Sequence, residues 1–297
     1  MTSCDSNFSH GMHRRMILSI AIVAITLVVE IIGGALSNSL ALLSDAGHVF
    51  TDLVALSLSC VAYKLTTKKA DNKRSYGYHR LQVMAAFVNG VSLFVVAILI
   101  VFEACKRFIN PVDVQWQLMM LVALFGLGTN LLVFGIMHRK HEDDINIKSA
   151  VLHVIADMLG SLAAILSSIG IMLSGWHIID PLLSVGVSAI MLYSAWKVIK
   201  YSSNILMEGK PDHLDVEEIK QQIKLIEPAV VDVHHVHLWM LTAGYTIMTM
   251  HIRVAGEPQT GGGFVHFRRA IKAMLQEKFS IAHVTVEIER EECSDVC

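Results

Sequence analysis

The sequence predicts an α-helical membrane protein in two parts: six transmembrane helices, then a small C-terminal cytoplasmic α+β domain of αββαβ order. Three observations carry that prediction. The 297 residues are 54% hydrophobic and only 17% charged, with a mean hydropathy of +0.53, whereas soluble domains average about 25% charged residues. Six apolar segments near the ~20-residue spanning length follow one another. After about residue 208 the pattern changes to short amphipathic and alternating stretches.

The elements follow in order. Residues 1–15 are polar, end on Arg14 and Arg15, and read as a cytoplasmic tail. No small-residue cleavage site follows them, so the first apolar segment reads as an anchor and not a removable signal peptide. The spans fall at roughly 16–36, 40–63, 80–103, 116–137, 148–174 and 179–203, giving a membrane domain over 16–207. Gly33-Gly34 and Ser37-Asn38-Ser39 make the first turn, and Asn110-Pro111 the third. Loops on one side carry Lys64, Lys68, Lys69, Lys73, Arg74, Arg139 and Lys140, against Lys106 and Arg107 on the other. The positive-inside rule therefore puts both termini in the cytoplasm.

From 208 to 297 a soluble domain is expected. Leu214–Glu227 reads as an amphipathic helix with Asp212 or Asp215 near its cap. Val230–Leu241 and Tyr245–Val254 read as strands about a turn at Ala243-Gly244. Gly261–Gly263 opens a second helix to about Lys278, and Ile281–Glu289 is a third strand. In that strand Ala282, Val284, Val286 and Ile288 share one face, and His283, Thr285, Glu287 and Glu289 the other. A net charge of −2 makes no case for a nucleic-acid partner. Five scattered cysteines, two of them in or at the end of a span, do not form a secreted disulfide framework.

The chemistry gathers inside the apolar spans. SDAGHVFTD (Ser44–Asp52) carries two carboxylates and a histidine in span two, and HVIAD (His153–Asp157) repeats the pair in span five. At i, i+4 spacing His48 and Asp52 share a helix face, with Asp45 one turn before; Ser149 and Ser161 extend the second stripe. A single intramembrane histidine or aspartate is often an interhelical hydrogen-bond partner. Four ionisable groups, each costing roughly 2.5–3.5 kcal/mol at mid-membrane, need more than packing to retain them. Two imidazoles and two carboxylates satisfy tetrahedral Zn²⁺. A site without thiolates exchanges with protons readily, because histidine must be neutral to ligate. Glu30 in span one is either paired or part of a proton path, Asn89 and Asn130 read as interhelical hydrogen-bond formers, and the 15 methionines read as packing.

The stretch SLALLSDAGHVFTD (Ser39–Asp52), the second His-x-x-x-Asp on span five and the αββαβ tail resemble the cation diffusion facilitator family over nearly the whole chain. Within it, the HD–HD pairing is similar to the bacterial ZitB-like zinc exporters. That resemblance implies homodimers in the bacterial inner membrane that exchange cytoplasmic Zn²⁺, and often Cd²⁺, for protons by alternating access. It implies His48, Asp52, His153 and Asp157 as transport-site ligands, Asp45 behind them, and a ferredoxin-like soluble domain. It also implies zinc in that domain at His237, His251 and Glu287 or Glu289, with His283 close and Cys293 and Cys297 resembling a tail cysteine pair. Cys4, His10 and His13 are further candidates by residue type. Arg80 and Glu208 match a salt-bridge pair of the family. Some members hold another metal between spans two and three; here Arg74 and Tyr78 stand where its histidines would be, beside Asp71. The short stretch His138–Glu142 replaces the His-rich loop of many eukaryotic members. A membrane zinc sensor and an intramembrane metallohydrolase are the competing readings. The hydrolase lacks His-Glu-x-x-His, and four protein ligands leave no open position for water.

Overall fold

A computed structural model describes residues 4–66, 70–138, 145–256 and 263–291. Six long helices come first: α1 (Cys4–Ser37), α2 (Leu40–Thr66), α3 (Arg80–Ile109), α4 (Trp116–His138), α5 (Ile145–Ser174) and α6 (Ile179–Leu206). Then come α7 (Val216–Ile226), β1 (Val230–Thr242), β2 (Tyr245–Val254), α8 (Gly263–Phe279) and β3 (His283–Glu289). Helix α1 begins inside the expected N-terminal tail, since residues 4–15 contain no proline to stop it. Among the described residues, Ile20–Ser37, Arg80–Ile109, Trp116–Val133 and Ile179–Leu206 are long and apolar enough to cross a membrane, and Met158–Ser174 is a shorter apolar stretch. Helix α2 carries Ser44, Asp45, His48, Thr51 and Asp52 in its first half, set among apolar residues.

The chain divides into two units, one of residues up to Cys60 with Val88–Ile199, the other of Val61–Phe87 with Lys200–Cys297. In the first unit, α1 ends in a Schellman turn: Asn38 takes the left-handed conformation (φ 56°), Ser39 N–H reaches Gly34 O at 3.0 Å and Asn38 N–H reaches Ala35 O. Ser39 then caps α2 by accepting from Leu42 N–H at 3.2 Å. Ala41 and Leu42 of α2 pack with Met119, Val122 and Ala123 of α4 and Ala164 and Ile171 of α5. Leu93 and Ala97 of α3 pack on Met191 and Ala195 of α6. Thr26 donates to Thr129 at 2.9 Å, tying α1 to α4.

In the second unit β2 is central, antiparallel to β1 and parallel to β3, with α8 as the crossover. Asp215, one of the two expected caps, accepts from Glu217 N–H and starts α7. Gly244 supplies the left-handed turn between β1 and β2 (φ 81°). One sheet face carries Met248, Met250, Ile252 and Val284 onto Ile219 and Ile223 of α7 and Phe267, Ile271 and Leu275 of α8. Strict alternation leaves the polar residues of β2 and β3 on the other face, as the sequence predicts. Strand β1 is less regular, with pairing shifts at Val230/Asp232, His234/His237 and Met240/Thr242.

Candidate functional site

Helix α2 carries the first candidate set. Asp45, His48 and Asp52 fall on one face, and His48 Nε2 lies 3.7 Å from Asp52 Oδ2. That is too long for a hydrogen bond. It is close to the roughly 3.3 Å that separates two ligand atoms of a tetrahedral zinc ion. Thr51 Oγ1 donates to His48 O at 2.8 Å, so the hydroxyl satisfies itself on its own helix.

Asp45 is buried and accepts a hydrogen bond from Ser161 Oγ of α5 at 2.7 Å. This bond joins α2 to α5. Positions 153, 157 and 161 follow one another at i, i+4 spacing along α5, so Ser161 marks the stripe on which His153 and Asp157 stand. The side chains of His153 and Asp157 lie outside the described residues. So do Cys293 and Cys297, the loop residues Lys68, Lys69, Arg139 and Lys140, and the side chains of Cys4, His10 and His13.

Two glycines make room for buried carboxylates here. A methyl at Gly160 would overlap Asp45 Oδ1, and one at Gly126 would come within 2.6 Å of Glu30 Oε1 and 3.3 Å of Ser161 Oγ. Glu30 of α1, left open by the sequence, is therefore buried in the same polar cluster as Ser161 and Asp45. Asp180 carries no distinguishing signal in the sequence. It is fully buried at the start of α6 and accepts from Ser39 Oγ (2.8 Å), Leu40 N–H (2.7 Å) and Ala41 N–H (3.2 Å). It thus caps α2, the helix that carries His48, from a different helix. Arg107 of α3 stands 3.9 Å from Asp180 and donates to Asn38 O. An acid directly before Pro181 is an ordinary helix start, so its use by another helix leaves no sequence signal.

Between α2 and α3, Asp71 accepts from Tyr78 OH (2.8 Å), Lys73 N–H (2.9 Å) and Arg74 N–H (2.8 Å). The Tyr78 hydrogen bond first, then the two backbone N–H groups, hold the Asp71 carboxyl below its ordinary pKa. Arg74 lies 4.6 Å over the Tyr78 ring. Tyr78 through its hydroxyl, and Lys73 and Arg74 through backbone N–H groups, thus engage Asp71. Next to this loop, Arg80 Nη2 donates to Glu208 Oε1 at 2.9 Å, and Glu208 sits at φ 61° just past α6.

The second candidate set lies on the polar face of the sheet. His234, His251 and Glu289 each offer a ligand atom, all within 4.8 Å of one another. His234 pairs with His251 across β1 and β2, and Glu289 reaches them from β3. His251 Nδ1 is 2.8 Å from Glu289 Oε1, and His234 Nε2 is 3.1 Å from Glu289 Oε2. Glu287 follows at 3.6 Å from His251 Nε2. Both ring nitrogens of His234 are buried, and among the described residues neither is aligned for a hydrogen bond. Two imidazoles and a carboxylate fit a borderline divalent ion such as Zn²⁺.

His251, Glu287 and Glu289 therefore come together, but His237 does not join them. The pairing shift between His234 and His237 sets His237 opposite Thr249, exposed, where it lines a separate groove with Glu208, Lys210 and Trp239. His234 takes the place expected of His237. His283 is exposed at the other end of β3, opposite Ile247 and edge-on to Tyr76 at 6.0 Å. Counting alternation along β1 could not find His234, because the bulge resets the count.

Comparison with known proteins gives this geometry a family. Residues 16–207 match the family described as cation efflux transmembrane domain, and 211–291 match the cation efflux protein cytoplasmic domain. The chain is 39% identical to the zinc transporter ZitB of Pectobacterium atrosepticum, over 97% of this chain and 90% of the relative. It is also 39% identical to the cadmium, cobalt and zinc/H(+)-K(+) antiporter of Bacillus subtilis, over 96% of this chain and 92% of the relative. A solved structure, the metal-bound C-terminal domain of the CzcD transporter of Cupriavidus metallidurans, is 34% identical and covers 26% of this chain and 99% of its own, with a TM-score of 0.22. With two family matches spanning both parts and relatives aligned over almost its whole length, the chain belongs to the cation efflux family of membrane transporters, a family of carriers and not of enzymes.

Proposed function

We propose that the protein exports Zn²⁺, and Cd²⁺ as a second cargo, across the bacterial inner membrane in exchange for protons, working as a homodimer by alternating access. In this reading residues 1–15 are a cytoplasmic tail, 16–207 form six spans with both termini inside, and 208–297 form a dimerising, metal-binding domain. His48, Asp52, His153 and Asp157 hold the cargo. The observation that carries the reading is the buried Asp45–Ser161 hydrogen bond of 2.7 Å, which ties α2 to α5 one turn from His48 and one turn from Asp157. The names of the zinc transporter and antiporter relatives support the cargo and the counter-ion.

The chemistry follows from the donor set. Two neutral imidazole nitrogens and two carboxylate oxygens complete a tetrahedral shell for Zn²⁺. A proton arriving at either imidazole removes the lone pair that the metal needs. The site therefore loads where protons are scarce and unloads where they are abundant, which couples inward proton movement to outward metal movement. In the soluble domain His234, His251 and Glu289 would hold a resident Zn²⁺, which would cross-link β1, β2 and β3. Such an ion biases the carrier only if its affinity differs between the two conformations.

The test is zinc flux into proteoliposomes under an imposed pH gradient, read by a trapped zinc-sensitive dye. Flux is expected only with the gradient, and Asp157→Ala is expected to abolish it while the protein stays folded. In His48→Asp, an all-oxygen bias at one position is expected to erode the preference for zinc. Zinc binding without gradient-dependent flux would support a sensor and sink the carrier.

A further inference from the structure

We infer that His235 is a third imidazole of the sheet's metal site, completing a His234–His235–His251–Glu289 set for a divalent transition ion such as Zn²⁺. The inference rests on the reading of that sheet cluster as a metal site, and it adds a ligand that strand alternation would exclude. Adjacent residues of a regular strand point to opposite faces, so His234 and His235 should not meet the same ion. Here they lie together. The pairing shift between His234 and His237 inserts one extra residue into β1, and His235 takes up the left-handed conformation at φ 47°. Side chains other than glycine rarely adopt that conformation, with histidine among the few that are enriched there. Backbone outliers of this kind concentrate at ligand sites.

The ring positions agree with a shared ion. The centroids of His234 and His235 are 5.5 Å apart, His234 and His251 5.7 Å, and His235 and His251 5.1 Å. Two imidazoles on one tetrahedral zinc, with Zn–N near 2.0 Å, have centroids roughly 5 Å apart. All three pairs are close to that spacing in their centroids; the ligand atoms that lie within 4.8 Å of one another are those of His234, His251 and Glu289, so His235 joins the ion by turning its ring. The rings meet His251 tilted or edge-on, at 32° and 62°, so no flat ring stack accounts for the cluster. Glu289 reaches both His234 and His251 and supplies the fourth donor. Four protein donors leave no open position, so this ion is held and not used for chemistry. A glycine at 235 would suit the backbone better, and the bulge keeps a histidine instead.

The experiment uses the full-length protein in detergent, with Co²⁺ as an optical probe of coordination and Zn²⁺ as competitor. His251→Ala is expected to lose one bound equivalent, which tests the sheet site itself. His235→Gly is expected to weaken Zn²⁺ at that site by at least about tenfold and to change the Co²⁺ visible spectrum. Its metal-free thermal midpoint should hold or rise, because glycine relieves the left-handed residue. His235→Asn, which tolerates the same backbone, should weaken binding likewise. If His235→Gly binds as tightly as wild type while His251→Ala has lost its equivalent, the third imidazole is wrong. A fall in the metal-free midpoint of His235→Gly would also overturn it, since His235 would then be kept for packing. If His251→Ala keeps every equivalent, the sheet site fails first and takes this ligand with it.

Discussion

The helical unit and the sheet both gather imidazole and carboxylate, but they back them differently. Around α2 the partners are sealed: Asp45 is 1% exposed and Ser161 and Asp180 are 0%. On the sheet, the side chains of His234 and Glu289 keep 22% and 16% of their exposure. Removing a partner from a sealed charge strands the other, at several kcal/mol. His48 and Asp52 keep 16% each, much as His251 and Glu289 keep 15% and 16%, so the two donor sets are similarly enclosed and the difference lies in the sealed residues behind the helical one. The helical set is therefore backed by sealed carboxylates and hydroxyls behind His48 and Asp52.

The largest effect should come from Asp180→Ala. It would leave the Leu40 and Ala41 N–H groups and the Ser39 hydroxyl facing a buried void at the head of α2. A loss of about 3 kcal/mol is expected, measured as denaturant or thermal unfolding in detergent. A loss below about 1 kcal/mol, the scale of an ordinary exposed cap, would erase the contrast between the two regions. Gly160→Ala tests the same principle at the proposed cargo site. Its methyl would overlap Asp45 Oδ1 and force that carboxylate away from Ser161. Zinc flux is expected to fall about tenfold to a hundredfold, the usual cost of displacing a group that orients ligands. Wild-type flux would show that Asp45 plays no part in holding α2 against α5.

On the sheet, His234→Ala and His237→Ala sharpen the comparison. His234 lies among the donors, and His237 lies across the bulge in another groove. The first is expected to weaken zinc binding by the soluble domain at least about tenfold, the second by less than about twofold. Equal effects in a zinc titration would mean that the register shift does not separate them.

The same contrast decides what could be read from the sequence. Burial made the membrane residues conspicuous: Asp45, His48 and Asp52 are costly in an apolar helix, and i, i+4 spacing on an unbroken helix leaves no doubt about their shared face. The strands and helices of the soluble domain were legible because alternation and amphipathic spacing follow from one buried face. His234 and His235 stand out beside His237 as strand histidines, but the choice of His234 over His237 was not legible, because a residue inserted between His234 and His237 resets the alternation. Asp180 was not legible for another reason. Its partners Ser39, Leu40 and Ala41 lie 139–141 residues away, and no local pattern encodes a cap supplied by a different helix. The burial of Glu30 against Gly126 was hidden in the same way, since it is a close approach that only packing defines.

The smallest expected effect belongs to a carboxylate that is not buried at all. Asp71 is fully exposed, yet Tyr78 OH and the N–H groups of Lys73 and Arg74 stabilise its charged form and depress its pKa below 3.8. A group whose folded pKa is depressed contributes stability that is present above the unfolded value and is lost as pH falls through the folded value. The order of this loop should therefore persist at pH 4 and fail only in stronger acid. Tyr78→Phe removes the hydroxyl, which is the largest contributor, but keeps a ring for Arg74 to cover. The Asp71 carboxyl should then titrate closer to 3.8, read from the carboxyl carbon shift of labelled protein, and loop order should begin to fail at higher pH. An unchanged titration would mean that the backbone N–H groups alone hold the charge, and that Tyr78 does nothing for Asp71.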